Sequence, residues 1–167
     1  MKQTISTLTL ALLLIVSARG IHAQSKSDTV AIQALIENEV MAWNKGDAVA
    51  YSRQFAQKGT FTNIQGMFFM GHEVFMQRHE QIFKTVFSKT VLQLKMVALQ
   101  FVRPDVAVVE TLSMVSGFAG DPPPGARLDA KGRLITRLLQ VVVKESADWK
   151  IVAYHNVDVK PGVLIPE

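Results

Sequence analysis

Hydrophobic positions in the first half of the chain recur at helical spacing. One run consists of apolar residues three or four positions apart: Ile32, Ile36, Val40 and Trp43. Gly46 then ends this helix in the manner typical of glycine, and Asp47 can cap a second, shorter helix. A third helical pattern covers residues 72–87. The pattern predicts three helices, with a short strand over residues 60–65 between the second and the third.

The second half of the chain has the pattern of a sheet. Long segments rich in apolar residues cover 90–102, 106–118, 134–145 and 149–159, with turn-forming residues between them. The proline-rich segment Gly120–Gly125 cannot join a helix or a ladder, so it begins a longer loop. Helices followed by long antiparallel strands predict an α+β fold, in which the helices cover one face of a curved sheet within a single domain.

The N-terminal residues have the organisation of a secretory signal peptide. Lys2 precedes the apolar run Leu8–Val16, and Ala23 provides a small residue at the exit. The run is shorter than the roughly 20 residues that a bilayer-spanning helix needs, which favours a cleaved signal over a retained anchor. We predict a signal peptide over residues 1–23 and a domain over residues 24–167. The protein is then secreted or periplasmic and has no stable membrane span.

Composition excludes several kinds of site. The chain has no cysteine, so thiol nucleophiles, disulfides and cysteine-bound metals or clusters are excluded. Hydrophobic residues make up 49% of the chain, which is enough for a packed core. The net charge is +4, and loss of the predicted signal peptide removes two of 18 basic and none of 14 acidic residues. The remaining basic residues form no cluster, so nucleic-acid binding is not expected.

Three histidines remain in the predicted mature chain. His72 and His79 are seven residues apart on one predicted helix, about 10 Å along its axis, which is too far for two ligands of one ion. No metal is therefore predicted from this pair; a long-range site that combines His155 with a carboxylate stays open, although no sequence pattern supports it. His79 lies in an apolar helix stripe, and His155 lies in the last predicted strand on the same face as Trp149 and Ile151. Each is either a core histidine held by one hydrogen bond or an imidazole that faces a cavity and transfers protons.

Polar residues interrupt other apolar strand faces. Asn63, Glu110 and Gln140 each stand where the alternation calls for an apolar residue. A pocket with a few convergent polar groups has such residues, and so do edge strands and outer faces. Both explanations stay open for Asn63 and Gln140, whereas the outer face is favoured for Glu110. The sequence lacks a serine-nucleophile elbow, a phosphate-binding loop and a dinucleotide fingerprint, so no nucleotide cofactor is expected.

The order and spacing of several short segments resemble a known family. The segments are Trp43-Asn44-Lys45-Gly46-Asp47, Phe61-Thr62-Asn63, Arg78-His79, Pro104-Asp105-Val106-Ala107 and Trp149 through Asn156. Together they resemble the SgcJ/EcaC family of SnoaL-like proteins in the nuclear transport factor 2-like (cystatin-like) superfamily. The resemblance implies a cone-shaped, curved antiparallel sheet wrapped around the N-terminal helices, with a mostly apolar pocket between them. It also implies a homodimer that forms through the open sheet face.

Ketosteroid isomerases belong to the same superfamily and allow a comparison by residue. The resemblance places Glu39 where the isomerases have an oxyanion-binding tyrosine. It places Asn63 at their general-base aspartate and Gln140 near their second, protonated aspartate. Because an amide is not a useful base, the isomerase mechanism is not carried over to this chain.

The sequence therefore predicts a protein that binds a small, largely apolar molecule without a cofactor. If it turns that molecule over by isomerisation, cyclisation or hydration, His79 and His155 are the predicted catalytic residues. Four residues are predicted to line the pocket: Glu39, Trp43, Asn63 and Gln140. The alternative is a non-catalytic ligand-binding or dimeric assembly module, because one fold of this kind supports both.

Overall fold

The structure is a computed structural model that describes residues 26–160 and 162–165. The chain divides into two compact units, Met1–Gln33 and Ala34–Glu167. The described part of the first unit, residues 26–33, is helical. The predicted signal peptide and its cleavage point lie outside the described residues and stay a prediction.

The described chain has three helices. They are α1 over residues 26–45, α2 over Ala48–Ser52 and α3 over His72–Ile82. Gly46 ends α1 with a φ of 66°, a left-handed conformation that glycine adopts without strain. The carboxylate of Asp47 accepts a hydrogen bond from the amide of Ala50 at 2.9 Å and caps α2. None of these helices, as far as the structure describes them, is long and apolar enough to cross a membrane.

Six strands of the described chain form one mixed sheet. They are β1 (Phe55–Thr62), β2 (Phe68–Met70), β3 (Val91–Arg103), β4 (Val106–Ser116), β5 (Leu134–Glu145) and β6 (Asp148–Asp158). Their order across the sheet is β2-β1-β6-β5-β4-β3. Neighbouring strands are antiparallel except β1 and β6, which are parallel and are joined by a long connection through the other strands. The α+β fold is confirmed, whereas the expectation of a wholly antiparallel sheet is wrong at this pair.

Register shifts curve the sheet. One is a bulge at Val152 of β6, which stands between Ile151 and Ala153, two residues that pair with consecutive residues of β5. Similar shifts occur in the β1–β6 and β3–β4 pairs. A bulge bends its strand and increases the local twist. We call the face that carries Gln140 and Tyr154, against which the helices pack, the inner face, and the opposite one the outer face.

Aromatic rings hold α2 and α3 on the inner face. Phe75 of α3 stacks on Phe55 of β1 with ring centroids 3.9 Å apart. It also forms a stacked pair with Tyr51 of α2, at 5.9 Å. Phe61 and Tyr154, on the adjacent strands β1 and β6, meet edge to face at 5.1 Å. Contacts of this kind add to the free energy gained by burying the rings, and they fix the positions of the helices relative to β1 and β6.

Candidate functional site

A cavity of about 290 Å³ lies between the helices and the inner face of the sheet. Small-molecule sites have volumes of about 300–1,000 Å³, so the volume of this cavity is just below the lower limit of that range. Its walls are mainly apolar and include Trp43, Tyr51, Phe61, Ile82, Phe87 and Val115. The lining could accommodate a small molecule with an apolar body.

His79 lines the cavity and lies within a cage of aromatic rings. Five rings have centroids within 6.3 Å of the imidazole: Trp43, Tyr51, Phe61, Phe75 and Phe83. Burial in this cage lowers the pKa of His79 to about 4; the hydrogen bond to Phe75 opposes the shift, and the charge of Arg78 adds to it. The imidazole is therefore neutral at physiological pH.

A backbone hydrogen bond fixes the tautomer of His79. Its Nδ1 lies 2.8 Å from the carbonyl oxygen of Phe75, one turn earlier in α3. Because a carbonyl oxygen only accepts, Nδ1 of the neutral ring carries the hydrogen and donates it. Nε2 then carries the lone pair and has no hydrogen-bond partner among the described residues. His79 can therefore accept a hydrogen bond from a molecule in the cavity.

Two buried tyrosines share a hydrogen bond near His79. The hydroxyl oxygens of Tyr51 and Tyr154 are 3.0 Å apart, and both residues line the cavity. Burial, with a smaller contribution from Glu39, raises the pKa of both tyrosines, so both hydroxyls keep their hydrogens. One hydroxyl donates to the other, and the accepting one retains a hydrogen for a second acceptor. The pair can donate a hydrogen bond to a ligand oxygen.

Glu39 and Gln140 form a buried hydrogen-bonded pair. Nε2 of Gln140 donates to both carboxyl oxygens of Glu39, at 3.0 and 2.9 Å. Burial raises the pKa of Glu39 to about 8, and the hydrogen bond from Gln140 offsets only part of that shift. Glu39 is therefore mostly protonated at neutral pH. Neither side chain reaches the cavity wall, where the larger ring of Tyr154, the cross-strand neighbour of Gln140, stands instead.

Trp43 and Asn63 line the cavity. The indole of Trp43 is held in place because its Nε1 donates to the hydroxyl of Thr90 at 3.0 Å. Asn63 follows β1, and its Oδ1 accepts from the backbone amides of Gln65 and Met67, both at 3.0 Å. That oxygen is used in the turn before β2, so a ligand would meet the amide hydrogens of Asn63.

His155 lies on the outer face of the sheet, away from the cavity. Strict alternation from Trp149 predicts it on the inner face, and this prediction is wrong. The bulge at Val152 adds one residue to β6, so every side chain beyond it changes face. Tyr154 and Asn156 therefore line the cavity, and His155 is exposed.

Three lining residues that are not among the predicted site residues have buried polar atoms. These atoms are Nε of Arg78, Oγ1 of Thr136 and Oδ1 of Asn156, and none has a hydrogen-bond partner within the described chain. The one sequence signal was the mid-strand position of Asn156, where asparagine is disfavoured. No group of three or more His, Asp or Glu side chains in residues 26–160 and 162–165 is arranged to hold a metal ion.

Comparisons with known proteins identify the fold. No protein-family model matches the chain, and no curated protein matches it. A domain of unknown function with a cystatin-like fold from Nostoc punctiforme is 23% identical, with a TM-score of 0.69 over 81% of this chain and 80% of that chain.

Two further solved structures share this fold. A proposed scytalone dehydratase from Novosphingobium aromaticivorans is 14% identical, with a TM-score of 0.70 over 83% of this chain and 89% of that one. A ketosteroid isomerase-like protein from Erwinia carotovora atroseptica is 15% identical, with a TM-score of 0.60 over 79% and 96%. The likenesses confirm the predicted cystatin-like, nuclear transport factor 2-like fold.

Proposed function

We propose that this protein binds a small, largely apolar molecule in the cavity on the inner face. The observation that carries the proposal is a set of polar atoms, without partners among the described residues, in an otherwise apolar lining. An unmade hydrogen bond at a buried polar group costs about 1–3 kcal/mol, so a ligand that satisfies these atoms is favoured. The fold shared with the proposed dehydratase and the isomerase-like protein supports a small-molecule site.

Cofactor-free acid–base catalysis in the same cavity is the second candidate. The observation that favours it is an acceptor, Nε2 of His79, and a donor, the tyrosine pair, that line one cavity. An imidazole can take a proton from a substrate, and a tyrosine hydroxyl can stabilise the oxyanion that forms. The pKa of His79, about 4, makes it a weak base, so we place binding before catalysis. His155 takes no part because it lies on the outer face.

The family of the protein, its cellular location and its oligomeric state are also proposals. The first two rest on the sequence, and the third rests on the outer face of the sheet. We propose that the protein belongs to the SgcJ/EcaC family of SnoaL-like proteins and is secreted or periplasmic after loss of its signal peptide. We also propose a homodimer through the outer face. The support is the exposed apolar pair Leu139 and Val157 beside an ion pair of Glu110 with Arg137, whose charged atoms are 3.6 Å apart.

A thermal-shift screen tests the binding proposal. The panel consists of small apolar carbonyl, aromatic and polyketide-like compounds. A ligand at about 100 times its dissociation constant adds about 2.7 kcal/mol to the free energy of unfolding, which raises the melting temperature by several degrees. We expect such a shift in the wild type.

Two matched variants locate the binding site. Ser113→Phe fills the cavity from β4 and should abolish the shift, whereas Ser88→Phe adds the same ring at an exposed position and should not. A shift that persists in a folded Ser113→Phe protein would contradict binding in this cavity. For the catalytic candidate, a folded His79→Phe variant that binds the ligand and keeps its turnover would exclude His79 as the base.

A further inference from the structure

We propose that the ligand of this cavity is a small apolar organic acid whose single carboxylate is bound by the guanidinium of Arg78. The proposal rests on the proposed small-molecule binding and narrows it to one class of ligand. Four features of the described cavity support it: an unpaired cation, a lining without acids, apolar walls and a row of neutral polar groups.

Arg78 is a cation that the fold leaves without an anion. Its Nε is buried and has no hydrogen-bond partner, and its guanidinium forms no ion pair within the part of the chain that the structure describes. Arg78 as a whole is half-buried, so the unfavourable term falls on this one N–H, and a charged donor that is buried and unpaired is more unfavourable than a neutral one. The guanidinium carbon lies 5.9 Å from the centre of the Phe69 ring. A guanidinium that lies over the face of a ring keeps the N–H groups at its own edge free, and these groups can bind a carboxylate.

The described lining contains this one cation and no carboxylate. His79 is neutral because burial lowers its pKa, and Glu39 lies behind the wall and is mostly protonated. Asp158, on the strand that carries Asn156, is not part of the lining; its Oδ2 pairs with the ammonium of Lys160 at 2.8 Å, and its buried Oδ1 has no hydrogen-bond partner within the described chain. The apolar walls strengthen the field of an unopposed positive charge, so the cavity attracts an anion.

The size of the charge favours a carboxylate over a phosphate. One guanidinium balances the single charge of a carboxylate, whereas a phosphate monoester carries nearly two negative charges at neutral pH. The cavity of about 290 Å³ and its aromatic walls fit one ring with a short acidic chain.

A row of neutral polar groups can bind the rest of the ligand. Thr136 of β5 and Asn156 of β6 are diagonal neighbours, because Asn156 pairs with Leu138. The parallel register of β1 and β6 places Asn63 beside Asn156. The hydroxyl of Thr136 can donate to an oxygen, and Oδ1 of Asn156 can accept from a ligand hydroxyl. A hydroxylated aromatic acid would satisfy these atoms together with Arg78.

Isothermal titration of the purified protein with 4-hydroxyphenylacetate and with its primary amide tests the proposal. The acid and its amide have nearly the same shape and differ in charge, and phenyl phosphate is the third probe. We expect the acid to bind at least about tenfold more tightly than the amide, because charge-assisted hydrogen bonds are stronger than neutral ones. Equal affinities, or tighter binding of the amide or of phenyl phosphate, would overturn the carboxylate assignment and leave the proposed function standing. Binding of no probe would count against both.

Variants of Arg78 test the assigned residue. Arg78→Gln should weaken binding of the acid at least about tenfold and change binding of the amide by less than about twofold. Arg78→Lys keeps the charge without the planar fork and should retain part of the preference for the acid. Arg103→Gln makes the same charge change where the side chain is 70% exposed and should leave both affinities unchanged. An undiminished preference for the acid in Arg78→Gln would overturn the assignment.

Discussion

Replacement of Glu39 by glutamine should remove most of the pH dependence of stability above pH 6.5. Glu39 is 2% exposed, and burial raises its pKa from 4.5 to about 8. Between these values the folded protein holds a proton that the unfolded chain has released. The contribution of Glu39 to the free energy of unfolding is therefore fully present below pH 4.5 and is lost as the pH rises through 8.

The magnitude follows from the number of protons involved. One proton held only by the folded state gives a slope of about 1.4 kcal/mol per pH unit. His79 acts in the opposite direction, since its pKa falls from 6.5 to about 4 and its contribution is lost as the pH falls through that range. The two slopes nearly cancel between pH 4.5 and 6.5. From pH 6.5 to 8 Glu39 acts alone, and the wild type should lose about 2 kcal/mol.

Urea unfolding from pH 4.5 to 8, followed by circular dichroism, measures this dependence. The free energy of unfolding of the wild type should be constant up to pH 6.5 and then decline. That of Glu39→Gln should fall by less than about 0.5 kcal/mol between pH 6.5 and 8. The variant should fold, because the oxygen of the introduced amide can still accept a hydrogen bond from Nε2 of Gln140, as the carboxyl oxygens of Glu39 do. Glu37→Gln, at an exposed position of α1, is the control and should keep the wild-type decline. If the free energy of unfolding of Glu39→Gln declined with pH as steeply as that of the wild type, the conclusion that Glu39 is buried and protonated would be refuted.

Three further predictions concern single side chains. Phe75→Ala should lower the free energy of unfolding by about 3–5 kcal/mol, because the ring is 1% exposed and stacks on two others; a loss below about 1 kcal/mol in urea unfolding would contradict this packing. His155→Ala should change stability by less than about 0.5 kcal/mol and leave calorimetric ligand affinity unchanged, and a loss of binding would place His155 at the site after all. The ring-proton NMR shifts of His79 should stay constant between pH 5.5 and 8, and a midpoint in that range would show that the imidazole is not desolvated.

The fold was predictable because it depends on patterns that are local in the sequence. Gly46 and Asp47 mark the end of α1 and the cap of α2, and both positions are confirmed. The long strands that pair through hairpins were recognisable from their apolar content and from the turns between them. The parallel pairing of β1 and β6 was not, because it joins segments almost a hundred residues apart.

The site was less predictable, because small changes in backbone geometry decide which side chains meet. No sequence signal marked the bulge at Val152, yet it exchanges the faces of His155 and Asn156. The sequence does not indicate that Arg78 shares a site with His79, because neighbouring residues on a helix point about 100° apart. The cavity is nevertheless wide enough that both Arg78 and His79 line it.

The emission of Trp43 tests the central claim, that the inner-face cavity binds a small molecule. The chain has two tryptophans: Trp43 lines the cavity, and Trp149 is buried in the core. In a Trp149→Phe variant the fluorescence comes from Trp43 alone, and titration with 4-hydroxyphenylacetate or its amide follows the cavity directly. We predict a saturable change in emission with at least one probe in the Trp149→Phe variant. The same titration should give no change in the variant that carries both Trp149→Phe and Ser113→Phe. Emission that stays constant while calorimetry detects binding, or constant emission without any binding, would contradict it.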